Sequence, residues 1–170
     1  MSLTMYELTI PPMLHGFDVL SSYLAKASAF ADEKGVEAAT ILQARLAPDM
    51  LPFAGQIQRA SDKAKGGVAR LAGIDAPTFA DTETTFTELA ARIEKTTAFL
   101  RSVDKMRFDG SDARRIEIKF RSLSGTYSGE RYLMGILLPD FFFHLATAHD
   151  ILRNQGLAIG KADYLGQVAS

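Results

Sequence analysis

The stretch LPFAGQIQRASDKAKGGVARLAG, residues 51–73, decides the fold class. Leu51, Ala54, Ile57, Ser61, Ala64, Val68 and Leu71 recur at spacings of three and four, the narrow apolar stripe of a helix in a bundle. Gly73 closes the pattern. Gly66 and Gly67 interrupt it at a cost of about 1 kcal/mol each relative to alanine. The spacing therefore predicts either a bend there or a neighbour packed against bare backbone.

The same periodicity extends outward on both sides. Upstream, Pro11-Pro12 reads as a helix start, since proline is tolerated in a first turn. Met13, Phe17, Leu20, Leu24, Ala27 and Ala31 then form a second stripe that Gly35 stops. A short helical piece over 36–46 ends at Pro48. Downstream, Pro77 breaks the chain, Asp81 or Thr82 caps a helix, and Phe86, Leu89, Ile93, Leu100 and Val103 form its stripe. Asp109-Gly110-Ser111-Asp112 is a turn. Ile116, Ile118 and Phe120 alternate with Glu117 and Lys119 as a half-buried strand. Residues 132–137 are either its partner strand or the lead-in to the last helix. Pro139 and Asp140 open that helix, which runs to Gln155 and ends at Gly156, and the tail over 157–170 lies along the bundle. The pattern predicts an all-α fold: an antiparallel four-helix bundle in a single domain, 1–170. A short helix follows helix 1, and a small β-hairpin precedes the last helix.

Composition excludes several functions. The chain has 170 residues, 47% of them hydrophobic, enough for one core. It has no cysteine, hence no disulfide and no thiol nucleophile, which suits a reducing compartment; a cytoplasmic location is expected. With 19 basic and 20 acidic side chains and a net charge of −1, it lacks the cationic excess that nucleic acid requires. The basic stretch Arg114, Arg115, Lys119 and Arg121 is interrupted by Glu117 and reads as the solvated face of a strand. No membrane is expected as a partner. The apolar run over 132–152 contains Pro139, Asp140, His144, His149 and Asp150, too polar for a span. The start lacks the pattern of a signal peptide. Met1-Ser2-Leu3 is set aside from functional reasoning.

Candidate chemistry centres on three histidines, His15, His144 and His149, because bundles hold metals and polar sites through inward His and carboxylate groups. His144 and His149 are five apart on one helix and point about 140° from each other, so they do not share a face. His144 falls with Thr147, Ala148 and Ile151. Its two readings are a core histidine with a hydrogen-bond partner, and an acid or base beside an interior pocket. Asp62 lies next to the apolar stripe of its helix. It either makes a solvated i, i+3 pair with Lys65 or faces His144 across the interior, orienting the imidazole. His144 and Asp62 are the candidate catalytic pair. Other constellations are absent. No nucleophile elbow occurs, the hydroxyl-rich 122–129 reads as a turn, and 156–161 is too short for a phosphate loop. Phe141-Phe142-Phe143 covers about 200° of helix circumference, which leaves one ring for the hairpin, the tail or a second subunit. A homodimer is expected.

The C-terminal part carries a resemblance: Tyr132-Leu133, the run from Leu138 to His144, Thr147-Ala148, Leu152-Arg153, Gly156, and Gly160-Lys161 with Asp163-Tyr164-Leu165-Gly166. Leu46 to Met50, Gln56, Gln58, Asp62, Ala64-Lys65 and the run from Ala69 to Gly73 add to it. Together they resemble an uncharacterised bacterial family grouped with the DinB-like (YfiT-like) four-helix proteins. The resemblance implies an up-down-down-up bundle, frequent dimers, and in the wider superfamily a divalent-metal site of three histidines. Two of those are spaced His-x-x-x-His on the last helix. Only His144 has a counterpart here; position 148 is alanine, and the helix over 51–73 has no histidine. The implied site is degenerate, one expected to hold zinc or nickel only weakly. Two readings follow. One is a non-enzymatic dimeric binding or stress-related module. The other is a His-based or metal-dependent enzyme with a small-molecule pocket near His144.

Overall fold

The computed structural model describes residues 3–119 and 124–166. Helix α1 spans Met5–Lys34. Thr4 caps it. The Thr4 hydroxyl accepts from the Glu7 N–H at 3.2 Å, and the Glu7 carboxylate accepts from the Thr4 N–H at 2.8 Å. The helix thus begins ahead of the expected proline start, and Pro11 and Pro12 lie inside it. Gly35, at φ 62°, supplies the left-handed cap that stops it. Helices α2 (Ala38–Leu42), α3 (Phe53–Ala72) and α4 (Phe86–Ser102) follow. The cap of α4 is Thr85 with Glu88, not Asp81 or Thr82, because the Asp81 carboxylate is drawn to Arg92 instead.

After a 3-10 turn at Lys105–Phe108, β1 (Arg115–Lys119) pairs antiparallel with β2 (Ser124–Ser128), Arg115 opposite Ser128 and Lys119 opposite Ser124. The partner strand is therefore the hydroxyl-rich stretch and not residues 132–137. Phe120, expected to extend the inward alternation, lies outside the described residues, as do Arg121, Ser122 and the tail beyond 166. Arg114 donates to the Leu71 carbonyl at 2.6 Å, capping the end of α3 instead of contributing to a basic patch.

Residues 132–137 are the lead-in to the last helix. Helix α5 (Gly129–Tyr132) passes through a π turn (Leu133–Leu137) into α6 (Leu138–Asn154). Within the turn the Leu138 N–H donates to the Leu133 carbonyl, five residues back. Pro139 explains the widening, since an interior proline offers no N–H and its ring collides with the carbonyl four residues earlier. A short α7 (Lys161–Leu165) ends the described chain against α1, where His15 and Lys26 bond Leu165 and Asp163.

The fold is mostly helical with one small antiparallel hairpin. Every stripe residue of α1 is buried, as are Ala54, Ile57, Ser61, Ala64, Val68 and Leu71 of α3; Leu51 precedes the helix and is exposed. A fully buried Leu, Ile or Phe contributes about 1.5–3 kcal/mol. Phe17 and Phe141 meet edge-on at 5.3 Å in the middle of this core. Gly67 lets the π turn approach α3 closely, because a Cβ there would collide with the Leu137 side chain. The connection over 73–85 doubles back along α3. Lys65 donates to the Pro77 carbonyl and Gln58 to Glu83. No helix among the described residues is long and apolar enough to cross a membrane.

Candidate functional site

His144 projects from α6 into the interface with α3 and is 8% exposed. Its Nδ1 lies 2.8 Å from Gln56 Oε1. Gln56 is itself oriented by the bond from its amide nitrogen to the Leu51 carbonyl, 2.9 Å. That bond points the amide oxygen at the ring, so Nδ1 donates to it, and a hydrogen bond from Nε2 to Asp140 requires a second proton on the ring. Nε2 faces Asp140 Oδ1 at 3.3 Å, one helical turn earlier, and Asp140 Oδ2 meets Lys63 Nζ at 2.7 Å. The groups form a single file from the Leu51 carbonyl through Gln56, His144 and Asp140 to Lys63. Burial pushes the Asp140 carboxyl up, but the hydrogen bonds from His144 and Lys63 outweigh it and hold the group below the usual carboxylate value.

Asp62 is placed elsewhere. Its Oδ1 accepts from Arg92 at 2.8 Å and pairs with Lys65 at 3.2 Å, while Oδ2 lies 3.4 Å from Arg59. The structure does not bring Asp62 to the imidazole; Gln56 and Asp140 hold that position. Arg92, its side chain 1% exposed, also bonds Asp81 and Glu83 at 2.9 Å each and the Ala80 carbonyl at 3.0 Å. Lys65 sits 3.8 Å above the Phe79 ring. Burial raises the Glu83 carboxyl, yet the bonds from Arg92 and Gln58 prevail and leave it lowered. These contacts fasten the 73–85 connection to α3 and α4. Sequence reasoning missed Arg92; the signal was an arginine beside Ile93 on the apolar face of its helix, preceded by the acidic pair Asp81 and Glu83.

The two networks approach one another at a groove of about 230 Å³ between α3 and α5–α6. Arg59, Asp62, Lys63, Gly66 and Arg70 line one wall, and Tyr132, Ile136, Leu137 and Asp140 the other. Asp62 borders the groove directly, whereas His144 stands behind Asp140. Arg70 reaches across Gly66 to the Tyr132 hydroxyl at 3.5 Å. Burial pushes the Tyr132 phenol up, with Arg70 opposing. The other histidines serve as tethers: His15 Nε2 donates to the Leu165 carbonyl at 2.7 Å, and His149 Nδ1 bonds the buried Tyr23 hydroxyl at 2.7 Å.

The donor set at His144 does not fit a divalent metal. Among the described residues no three His, Asp or Glu side chains are placed to hold one metal ion. Ala148 is buried and apolar, Nδ1 is committed as a donor, and the Lys63 ammonium already neutralises Asp140. A divalent cation there would meet one imidazole, one carboxylate and a repelling ammonium.

Residues 5–165 match the family described as "Domain of unknown function (DUF1993)". Among solved structures, a DinB family member protein from Shewanella denitrificans is 35% identical, covering 97% of this chain and 93% of that one with a TM-score of 0.89. No curated protein matches the chain. With nearly its whole length matched and its helical fold shared with that solved structure, the chain belongs to the DUF1993 family, a DinB-like family of unknown function.

Proposed function

We propose that this chain is a dimeric, non-catalytic small-molecule-binding module, a single cytoplasmic domain whose ligand seats in the groove between α3 and α5–α6. One observation carries the reading: the polar groups expected to do chemistry are already occupied with each other, while the groove beside them is open. Both ring nitrogens of His144 have partners, and Asp62 is held by three cations. A general base needs an unoccupied site toward its substrate. The architecture we propose is an up-down-down-up bundle. In support, the pairs Gln56–His144 and Lys63–Asp140 run antiparallel, and the 73–85 return brings α4 to the start of α3.

The test is a fragment screen followed by amide chemical shifts. Hits are expected to move Gly66, Gly67 and Ile136; a screen whose hits all map elsewhere would sink the groove reading. For the dimer, the exposed Phe143 ring (57% exposed) offers the surplus aromatic face. Phe143→Glu should convert a dimer to monomer in sedimentation, and a wild-type chain that already sediments as monomer would end that part of the proposal.

A second reading has one observation in its favour. Asp140 lines the groove with His144 directly behind it, an arrangement able to pass a proton from the interior to a bound molecule. Turnover of any groove ligand that disappears in Asp140→Asn, with binding intact, would favour this enzyme reading over the module.

A further inference from the structure

Gly66 and Gly67 are adjacent on one helix and have different reasons to exist. Gly67 is forced by packing, since a side chain there would strike Leu137. Among the described residues nothing comparable presses on Gly66: the only group a Cβ there would meet is the Arg70 guanidinium, at 3.0 Å for Nη1. A mid-helix glycine without a packing neighbour breaks a local rule, and such breaks concentrate where a chain keeps space for function. Here the vacancy lets Arg70 lie across the groove toward Tyr132. The opposite wall is the π turn, another departure that recurs at functional sites.

Charge singles out the same end of the groove. Arg59 faces Asp62 and Asp81, and Lys63 faces Asp140. Arg70 alone among the groove-lining cations has no carboxylate partner among the described residues, and its one hydrogen bond is a long one to a phenol. The groove thus holds one uncompensated positive charge, a planar two-pronged donor, next to the buried Tyr132 ring and the aliphatic wall of Ile136 and Leu137.

We infer that the Arg70 end of the groove is a seat for the carboxylate of a small organic monoanion. The guanidinium takes the carboxylate through paired N–H donors, the Tyr132 hydroxyl donates to one of its oxygens, and the aliphatic part lies along Ile136 and Leu137. A single unpaired cation matches a monoanion better than a dianion. This deepens the groove-binding reading and rests on it.

Hexanoate, hexylammonium and 1-hexanol share one tail and differ in charge. Each is titrated into the full chain at low salt, where an exposed guanidinium is least screened, and followed by amide shifts. Hexanoate should saturate with shifts at Gly66, Gly67 and Ile136. It should bind at least about tenfold more weakly to Arg70→Gln, the loss expected for a charged hydrogen bond. Arg101→Gln, on an exposed part of α4, should bind as wild type. Gly66→Ala, which pushes the guanidinium aside, should weaken hexanoate while raising the melting temperature. Equal affinity in Arg70→Gln overturns the inference. If hexanol or hexylammonium occupies the groove and hexanoate does not, the carboxylate assignment falls and the groove reading survives. If none of the three moves these amides, both fall.

Discussion

On the α4 side of α3, Arg92 collects three carboxylates and a carbonyl around one guanidinium. On the α6 side, Gln56, His144, Asp140 and Lys63 each bond the next in line. The first arrangement is redundant: removing one carboxylate leaves Arg92 two others. The second is serial, so removing an inner member breaks a bond to each of its two neighbours. The first also has its centre buried and its acids partly in water, whereas the second has its centre buried and its far end in the groove. A redundant cluster suits fastening a connection, and a serial file ending in an opening is where an exchangeable partner can enter.

Substitutions at the hubs test this contrast most severely. Arg92→Met should cost about 3 kcal/mol or more in denaturant unfolding, because three carboxylates lose the buried charge that holds them. A loss under about 1 kcal/mol would show that the redundancy is cosmetic. His144→Ala should cost less, about 1–3 kcal/mol, by stranding the Gln56 oxygen and one Asp140 oxygen. If it equals or exceeds the Arg92 effect, the ranking of the two networks is reversed.

Acid sharpens the comparison further. The folded Asp140 carboxyl titrates below its ordinary 3.8, so its contribution is complete above that value and lost as pH falls through the folded one. Wild type should therefore lose stability more steeply than Asp140→Asn below about pH 4. Parallel curves would mean that the file does not hold Asp140 ionised. The smallest effect belongs to Asp62→Asn, below about 1 kcal/mol, since Asp81 and Glu83 remain on Arg92 and Asp62 is partly solvated. A large loss there would make Asp62 the hub instead of Arg92.

The long helices were legible because their apolar stripes follow the helical period. Their starts were less so. Pro11-Pro12 drew attention from Thr4-x-x-Glu7, and Asp81-Thr82 from Thr85-x-x-Glu88, although both capping boxes stand in the sequence. The strand over Ser124–Ser128 has no apolar alternation and owes its conformation to pairing with β1, which no local pattern encodes. At the site, the inward direction of His144 was readable from its neighbours on α6. The i, i+4 spacing that makes Asp140 its partner was also in the sequence, but Asp140 was read there only as a helix-start residue. What could not be read was which residue of α3 meets His144. That depends on the close approach of Leu137 to Gly67, a property of two surfaces in contact.

The π turn has a geometric consequence for the groove wall. Tyr132 and Asp140 are eight residues apart, which in an uninterrupted α-helix would leave them about 80° out of phase. One residue absorbed by the wider turn removes roughly one step of 100°, and the two side chains come to within about 20° of a common azimuth. The extra residue is taken up locally: Gly135, within the turn, is exposed and has open space around it. The angular offset is thereby spent before α6 begins, so Asp140 and His144 keep ordinary helical phase with each other while Tyr132 is brought round to face the same channel.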